Sequence, residues 1–169
     1  MAVESYATYL RMLSAGVPRL LSAQREIRWD RYFTTVIKGK TLVVVGRGKS
    51  GEQMAETGKE LGLEVAFLDS ETEPGQLKAA FESADFLAIC GESAIDAEKL
   101  GCLPAKAGVI NVSSRPSLDE GTLVEKLSSG ALSGAILEIP ECEAPPADSP
   151  LWSAPNLVLI PRATASAVC

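Results

Sequence analysis

Three glycines, two cations and one acid are the residues of this chain whose spacing points to chemistry. Gly46-Arg47-Gly48-Lys49-Ser50-Gly51 follows the apolar run Leu42-Val43-Val44-Val45. A second apolar run, Val65-Ala66-Phe67-Leu68, ends on Asp69, eighteen residues after Gly51. A G-x-G-x-x-G turn between a strand and a helix suits a pyrophosphate. The first glycine allows the sharp turn, the second leaves bare backbone for the phosphates to approach, and the third lets the helix pack close to the sheet. The helix then aims its free N–H groups and positive dipole end at the phosphates. An acid at the end of the next strand accepts from ribose hydroxyls and repels a 2′-phosphate. Ser70, beside it, offers no arginine. The pattern therefore favours NAD over NADP, with Gly46, Arg47, Gly48, Lys49, Ser50, Gly51 and Asp69 as cofactor contacts. Arg47 and Lys49 also read as solvated loop charges, or as holders of some other anionic ligand.

Alternating elements must position these residues. Apolar side chains at Tyr6, Tyr9, Leu10, Leu13, Val17, Leu20, Leu21 and Ile27 predict a long helix over 3–29, interrupted at Gly16 and Pro18. Trp29, Tyr32 and Phe33 form an aromatic link behind it, and Trp29 and Trp152 read as packing anchors. A helix that precedes the first strand has only a sheet edge to lie on. Its spare apolar face predicts a homodimer through this N-terminal helix, with Trp29 at the dimer face. Strands are expected at 42–45, 65–68, 85–90, 108–112, 133–137 and 157–160, and helices at 52–61, 76–83, 95–100 and 117–128. Ser117 and Glu120 have the spacing of a capping box, and Gly130 ends that helix. Alternating βα units of this length predict an α/β fold, a Rossmann-type doubly wound parallel sheet in three layers with a long N-terminal helix. The organisation is one domain, 1–169, in which 1–36 form the helix and arm and 37–169 the sheet core.

Composition narrows the function classes. The 169 residues are 46% hydrophobic and 22% charged, with net charge −6. An acidic surface disfavours nucleic acid and anionic membranes as partners. No apolar run approaches the ~20 residues of a membrane helix, and the N-terminus lacks the pattern of a signal peptide, so a soluble cytoplasmic protein is expected. The four cysteines, Cys90, Cys102, Cys142 and Cys169, form no C-x-x-C pair, and the chain has no histidine. That pattern predicts reduced thiols and no metal site, and it removes the commonest general base near neutral pH.

Taken in order, the motifs resemble the NAD-binding domain of the D-isomer-specific 2-hydroxyacid dehydrogenases, from about Val3 to Arg162. The resemblance rests on Gly39-Lys40-Thr41-Leu42, Ala84-Asp85-Phe86, Gly108-Val109-Ile110-Asn111-Val112-Ser113 and Leu118-Asp119-Glu120-Gly121-Thr122-Leu123. It is most specific in Pro145-Pro146-Ala147-Asp148-Ser149-Pro150-Leu151-Trp152, followed by Pro155-Asn156-Leu157. It implies an NAD-dependent oxidoreductase acting on the CH–OH group of a 2-hydroxy acid, with a second domain closing over the substrate. An arginine then holds the substrate carboxylate, a histidine moves the proton and a glutamate orients the histidine.

Carried over by position, the cofactor set extends to Cys90, Gly91, Val112, Ser113 and Ser114, with Glu92 adding charge beside them. The orienting glutamate falls on Glu141. The arginine position falls on Ser114, with Arg115 one residue late and facing the other way. The histidine position falls on Arg162, which cannot release its proton near neutral pH. Arg115 and Arg162 remain candidate anion binders, and Glu141 and Arg162 are expected to form an ion pair. No stretch corresponds to the substrate domain. The expectation is a dinucleotide-binding domain without the family's own hydride transfer, acting as a pseudoenzyme or an interaction module. The alternatives are an active oxidoreductase completed by a partner chain, in which Arg115 or Arg162 binds the carboxylate, and new chemistry on the same scaffold.

Overall fold

A computed structural model of the chain describes residues 2–32, 34–113, 118–140 and 144–162. Six strands form one sheet in the order β2-β1-β3-β4-β5-β6, and every neighbouring pair is parallel. They are β1 (Thr41–Val45), β2 (Glu64–Leu68), β3 (Phe86–Ile89), β4 (Gly108–Asn111), β5 (Gly134–Pro140) and β6 (Leu157–Arg162). The helices are α1 (Ala2–Ser14), α2 (Val17–Arg25), α3 (Lys49–Glu60), α4 (Pro74–Glu82), α5 (Ala97–Gly101) and α6 (Glu120–Ser128). This is the doubly wound α/β fold expected from the sequence.

Strand alternation builds the three layers. Val43 and Val45 of β1 face one core with Phe81 of α4, Leu100 of α5 and Leu123 and Leu127 of α6. Leu42 and Val44 face the other, with Met54 of α3 and Leu10 and Leu13 of α1. The central strands are buried on both faces, as their unbroken apolar runs require. Burial of such side chains is the main favourable term in folding, about 1.5–3 kcal/mol for each large one.

The N-terminal segment departs from expectation. The expected interruption is there: two helices break at Gly16, whose φ of 66° suits glycine and whose missing Cβ leaves room for the Tyr32 ring, and what departs is where α1 lies. Helix α1 does not lie on a sheet edge. It crosses the sheet face against α3, β4 and β5, so Tyr6, Tyr9, Leu10 and Leu13 are core and not a dimer stripe. Trp29 is 98% exposed and anchors nothing among the described residues. Trp152 is half-exposed, its indole N–H donating to the Pro146 carbonyl at 2.9 Å. The cap of α6 is Asp119, whose carboxylate accepts from the Thr122 N–H at 2.7 Å. That places the cap two residues beyond Ser117, which lies outside the described residues. Asp119 won because it begins the turn whose third N–H its short carboxylate reaches.

Helix α3 sits unusually close to the sheet. A Cβ on Gly51 would fall 2.1 Å from the Gly46 carbonyl oxygen, and one on Gly58 would fall 2.5 Å from a Leu42 methyl. Gly75 of α4, by contrast, has nothing within 4 Å of that position. Gly75→Ala should therefore raise stability by about 0.5–1 kcal/mol, as helix propensity alone dictates. Gly51→Ala should lower it despite the same gain in propensity. Urea unfolding of both variants checks the contrast, and a stabilised Gly51→Ala would contradict the packing.

Backbone N–H donors hold two helix-capping acids below the usual carboxylate range, Lys99 N–H at Asp96 and Thr122 N–H at Asp119. A depressed folded pKa stabilises above the unfolded value, 3.8 for aspartate, and that stability is lost as pH falls through the folded pKa. Asp119→Asn should thus lose less stability than wild type between about pH 5 and pH 2. Parallel melting curves across that range provide the comparison.

Candidate functional site

The chain reverses its winding direction between β1 and β3, and the loops leaving these two strands meet there. In open α/β sheets that crevice is where ligands bind. Gly46 turns out of β1 with φ 111°, its N–H bonded to the Leu68 carbonyl at 3.0 Å. A Cβ on it would lie 2.4 Å from the Gly91 nitrogen, so the two loops touch backbone to backbone. Gly48 caps α3 with φ 124° and no side-chain cap, and a Cβ added there would meet nothing within 4 Å. Its requirement is therefore conformational, and the space above it is open. The first turn of α3 presents Lys49, Ser50 and Gly51 behind this bare corner.

Gly46, Arg47, Asp69, Ser70, Gly91 and Glu92 line a cavity of about 670 Å³ over this crevice. Asp69 is well tied. Its Oδ1 accepts from the Glu71 N–H at 2.9 Å and the Thr72 hydroxyl at 3.2 Å, and its Oδ2 accepts from Arg47 Nε. The Arg47 bond, followed by the Glu71 N–H, holds the Asp69 carboxyl below its ordinary pKa. The side chains are 74% and 12% exposed, Arg47 the more open. Arg47 is thus a largely solvated loop charge that also pairs with Asp69. The expectation that no arginine attends Asp69 needs correction: Ser70 supplies none, but Arg47 reaches the acid from the glycine loop. Lys49 is exposed and does not line the cavity.

At the ends of β3 and β4 the expected residues also converge. The Ser113 hydroxyl donates to the Gly91 carbonyl at 3.0 Å, and the Ser113 N–H donates to Asn111 Oδ1 at 2.9 Å. The Val112 N–H bonds the Ile89 carbonyl at 2.9 Å. Burial pushes the Cys90 thiol up to about 12, away from the thiolate form, and the side chain packs against the core. Burial raises the pKa of the Tyr6 phenol, and the nearby Ser50 side chain opposes it. Ser114, Arg115 and Glu141 lie outside the described residues. A second cavity, about 460 Å³, opens beyond Ser113 and is lined also by Asn111, Leu118, Glu120 and Glu138.

Arg162 ends β6 and is held from two sides. Its Nε pairs with Glu138 Oε1 at 2.7 Å, and its Nη2 donates to the Val112 carbonyl at 2.5 Å. The Tyr9 hydroxyl donates to Glu138 Oε2 at 3.2 Å. Burial, then the Glu138 charge, pushes Tyr9 up to about 12. The expected partner of Arg162 was Glu141; among the described residues the partner is Glu138. Sequence reading passed over Glu138 because it ended the strand at Leu137. The strand runs on to Pro140, and a lone acid inside an apolar strand is a signal that a partner awaits it. Among the described residues, no three His, Cys, Asp or Glu cluster as a metal site would need, and no helix is long and apolar enough to cross a membrane.

Known proteins share this fold. The chain is 29% identical to the D-3-phosphoglycerate dehydrogenase of Synechocystis, over 98% of this chain and 33% of that protein. It is 28% identical to the glyoxylate reductase of Korarchaeum cryptofilum, over 92% of this chain and 54% of that protein. It therefore spans a third to about half of these curated relatives. Among solved structures, a probable 2-hydroxyacid dehydrogenase from Rhizobium etli, in complex with NADP, superposes with a TM-score of 0.81 at 23% identity, covering 95% of this chain and 57% of that one. A D-isomer specific 2-hydroxyacid dehydrogenase from Xanthobacter autotrophicus, in complex with NADPH, gives 0.78 at 23% identity, over 95% and 74%. At such identities the likeness is one of fold. Residues 7–163 match the family described as D-isomer specific 2-hydroxyacid dehydrogenase, NAD binding domain, and the chain belongs to that family.

Proposed function

We propose that this chain binds a nicotinamide dinucleotide and does not perform the family's hydride transfer. The bare Gly48 corner and the uncapped start of α3 suit a pyrophosphate. Asp69 offers a carboxylate to the adenosine ribose, and by charge it favours NAD. A bound dinucleotide would supply hydride to, or accept it from, the carbon of a 2-hydroxy or 2-oxo acid.

The observation that carries the loss of activity is Arg162. Reducing a 2-oxo acid adds hydride to carbon and a proton to oxygen, and the resemblance assigns the proton to a histidine at this position. A guanidinium holds its proton through the whole working pH range. Here it is also fixed between Glu138 and the Val112 carbonyl. A substrate-binding domain, on this polypeptide or on a partner chain, would still meet an arginine there.

A homodimer through the N-terminal segment is part of the same proposal, on a changed surface. Leu20, Ile27 and Trp29 are exposed large apolar side chains that line one shallow cavity on and just after α2. Such a patch favours burial against another protein surface. Free Cys90 and Cys102 suit a reducing cytoplasm.

Calorimetric titration should show NADH binding with a Kd in the micromolar range, about −8 kcal/mol. Glyoxylate or pyruvate with NADH should give no oxidation above background. Turnover at an ordinary enzymatic rate, about 1 s⁻¹ or more, would overturn the assignment. Sedimentation at tens of micromolar should show a dimer that Trp29→Glu converts to monomer. A wild-type monomer at that concentration would end the dimer proposal.

A further inference from the structure

Asp69 is not the bare acid that the sequence pattern suggests. Glu71 and Thr72 occupy Oδ1, and Arg47 occupies Oδ2. A ribose diol arriving at Asp69 must share Oδ2 with the guanidinium or displace it. A ribose carrying a 2′-phosphate meets the opposite situation, because the group that obstructs a diol is the group that attracts a phosphate.

Arg47 is placed for this. It is the middle residue of Gly46-Arg47-Gly48, so two glycines at positive φ fix its stem. Its head is three-quarters exposed and lines the same cavity as Asp69 and Ser70. The bond to Asp69 uses Nε–H, one of five donors on the guanidinium fork, whose geometry matches phosphate oxygens. The Arg47 head is the exposed half of this pair, and when it swings away the Asp69 carboxylate keeps the Glu71 N–H and the Thr72 hydroxyl as donors. Three acids also touch the cavity, Asp69, Glu71 and Glu92, and their charge opposes any strong preference for a phosphate.

We propose that Arg47 is a specificity-determining residue at the adenosine end of the site. It neutralises Asp69 and gives a 2′-phosphate its cation, so the site takes NADP(H) as well as NAD(H). This rests on the dinucleotide-binding reading above.

The test is direct binding of NADH and NADPH to the 169-residue chain, by titration calorimetry, for wild type, Arg47→Ala, Arg47→Lys and Asp69→Asn. Thermal melting first confirms that each variant folds, which the exposure of Arg47 favours. Wild type should bind the two cofactors within about tenfold of each other. Arg47→Ala should weaken NADPH by about ten- to a hundredfold, the scale of a lost charge-assisted hydrogen bond, and change NADH by less than about threefold. Arg47→Lys should recover part of the NADPH affinity, and raised salt should weaken NADPH more than NADH. Asp69→Asn should weaken NADH and spare NADPH. Equal loss of both cofactors in Arg47→Ala would place the arginine on the shared pyrophosphate and overturn the proposal. So would a wild type that binds NADPH a hundredfold or more weaker than NADH, or an Arg47→Ala that alters neither. Each of those results leaves the dinucleotide site standing. Failure of wild type to bind either cofactor would remove that reading and, with it, the role of Arg47.

Discussion

The contact on which this molecule depends is the meeting of two loop backbones, Gly46 after β1 and Gly91 after β3. Their separation admits no Cβ on either side: one on Gly46 would sit 2.4 Å from the Gly91 nitrogen, and one on Gly91 would sit 2.8 Å from the Gly46 Cα. That closeness draws the ends of the two central strands together. It brings the Gly91 carbonyl within reach of the Ser113 hydroxyl from β4, so three strand ends share one rim. Gly51 completes the constraint from the helix side, packed on the Gly46 carbonyl. A side chain on any of the three would separate helix, turn and rim, and the floor of the crevice would be lost.

Helix α1 secures the other end of the rim. Its stripe of Tyr6, Tyr9, Leu10 and Leu13 fills the face of the sheet that α3 leaves open. Because tyrosines carry a polar tip on an apolar body, the same stripe also delivers two hydroxyls to the strand ends. The Tyr9 hydroxyl reaches Glu138 on β5, and the Tyr6 hydroxyl lies near the Ser50 side chain at the start of α3. Packing and polar satisfaction are thus one arrangement here. The buried Glu138 carboxylate is left with a phenol on one oxygen and a guanidinium on the other.

Most of the fold was legible because it rests on local rules. Apolar runs gave the strands, and the glycine turn gave the strand-to-helix junction. What escaped was set by distance. The partners Tyr9 and Glu138 are 129 residues apart, and Arg47 and Asp69 are 22 apart. No periodicity encodes such pairs. The lying surface of α1 was misjudged for the same reason: which part of the sheet lacks a cover depends on the winding of the later helices. Trp29 packs against nothing among the described residues, because an aromatic side chain states only that burial is favourable and not against which surface. The α6 cap escaped because the capping-box spacing of Ser117 and Glu120 places the helix start too early, whereas α6 begins at Glu120 with Asp119 as its cap.

The two ends of the crevice differ in a way that follows from burial. Each sets an arginine on an acid, Arg47 on Asp69 and Arg162 on Glu138. At the Arg162 end both partners are mostly buried, and the Val112 carbonyl and the Tyr9 hydroxyl complete the set. Separating that pair would leave an uncompensated charge in a poorly solvated place, at a cost of about 3–5 kcal/mol. A ligand cannot readily recruit Arg162, and the end is fixed. At the Arg47 end the guanidinium stands in solvent, and water replaces Asp69 as a partner with little loss. That end can rearrange around what arrives. The crevice thus has one arginine whose head is free to move, at Arg47, and one held with its partner out of solvent, at Arg162.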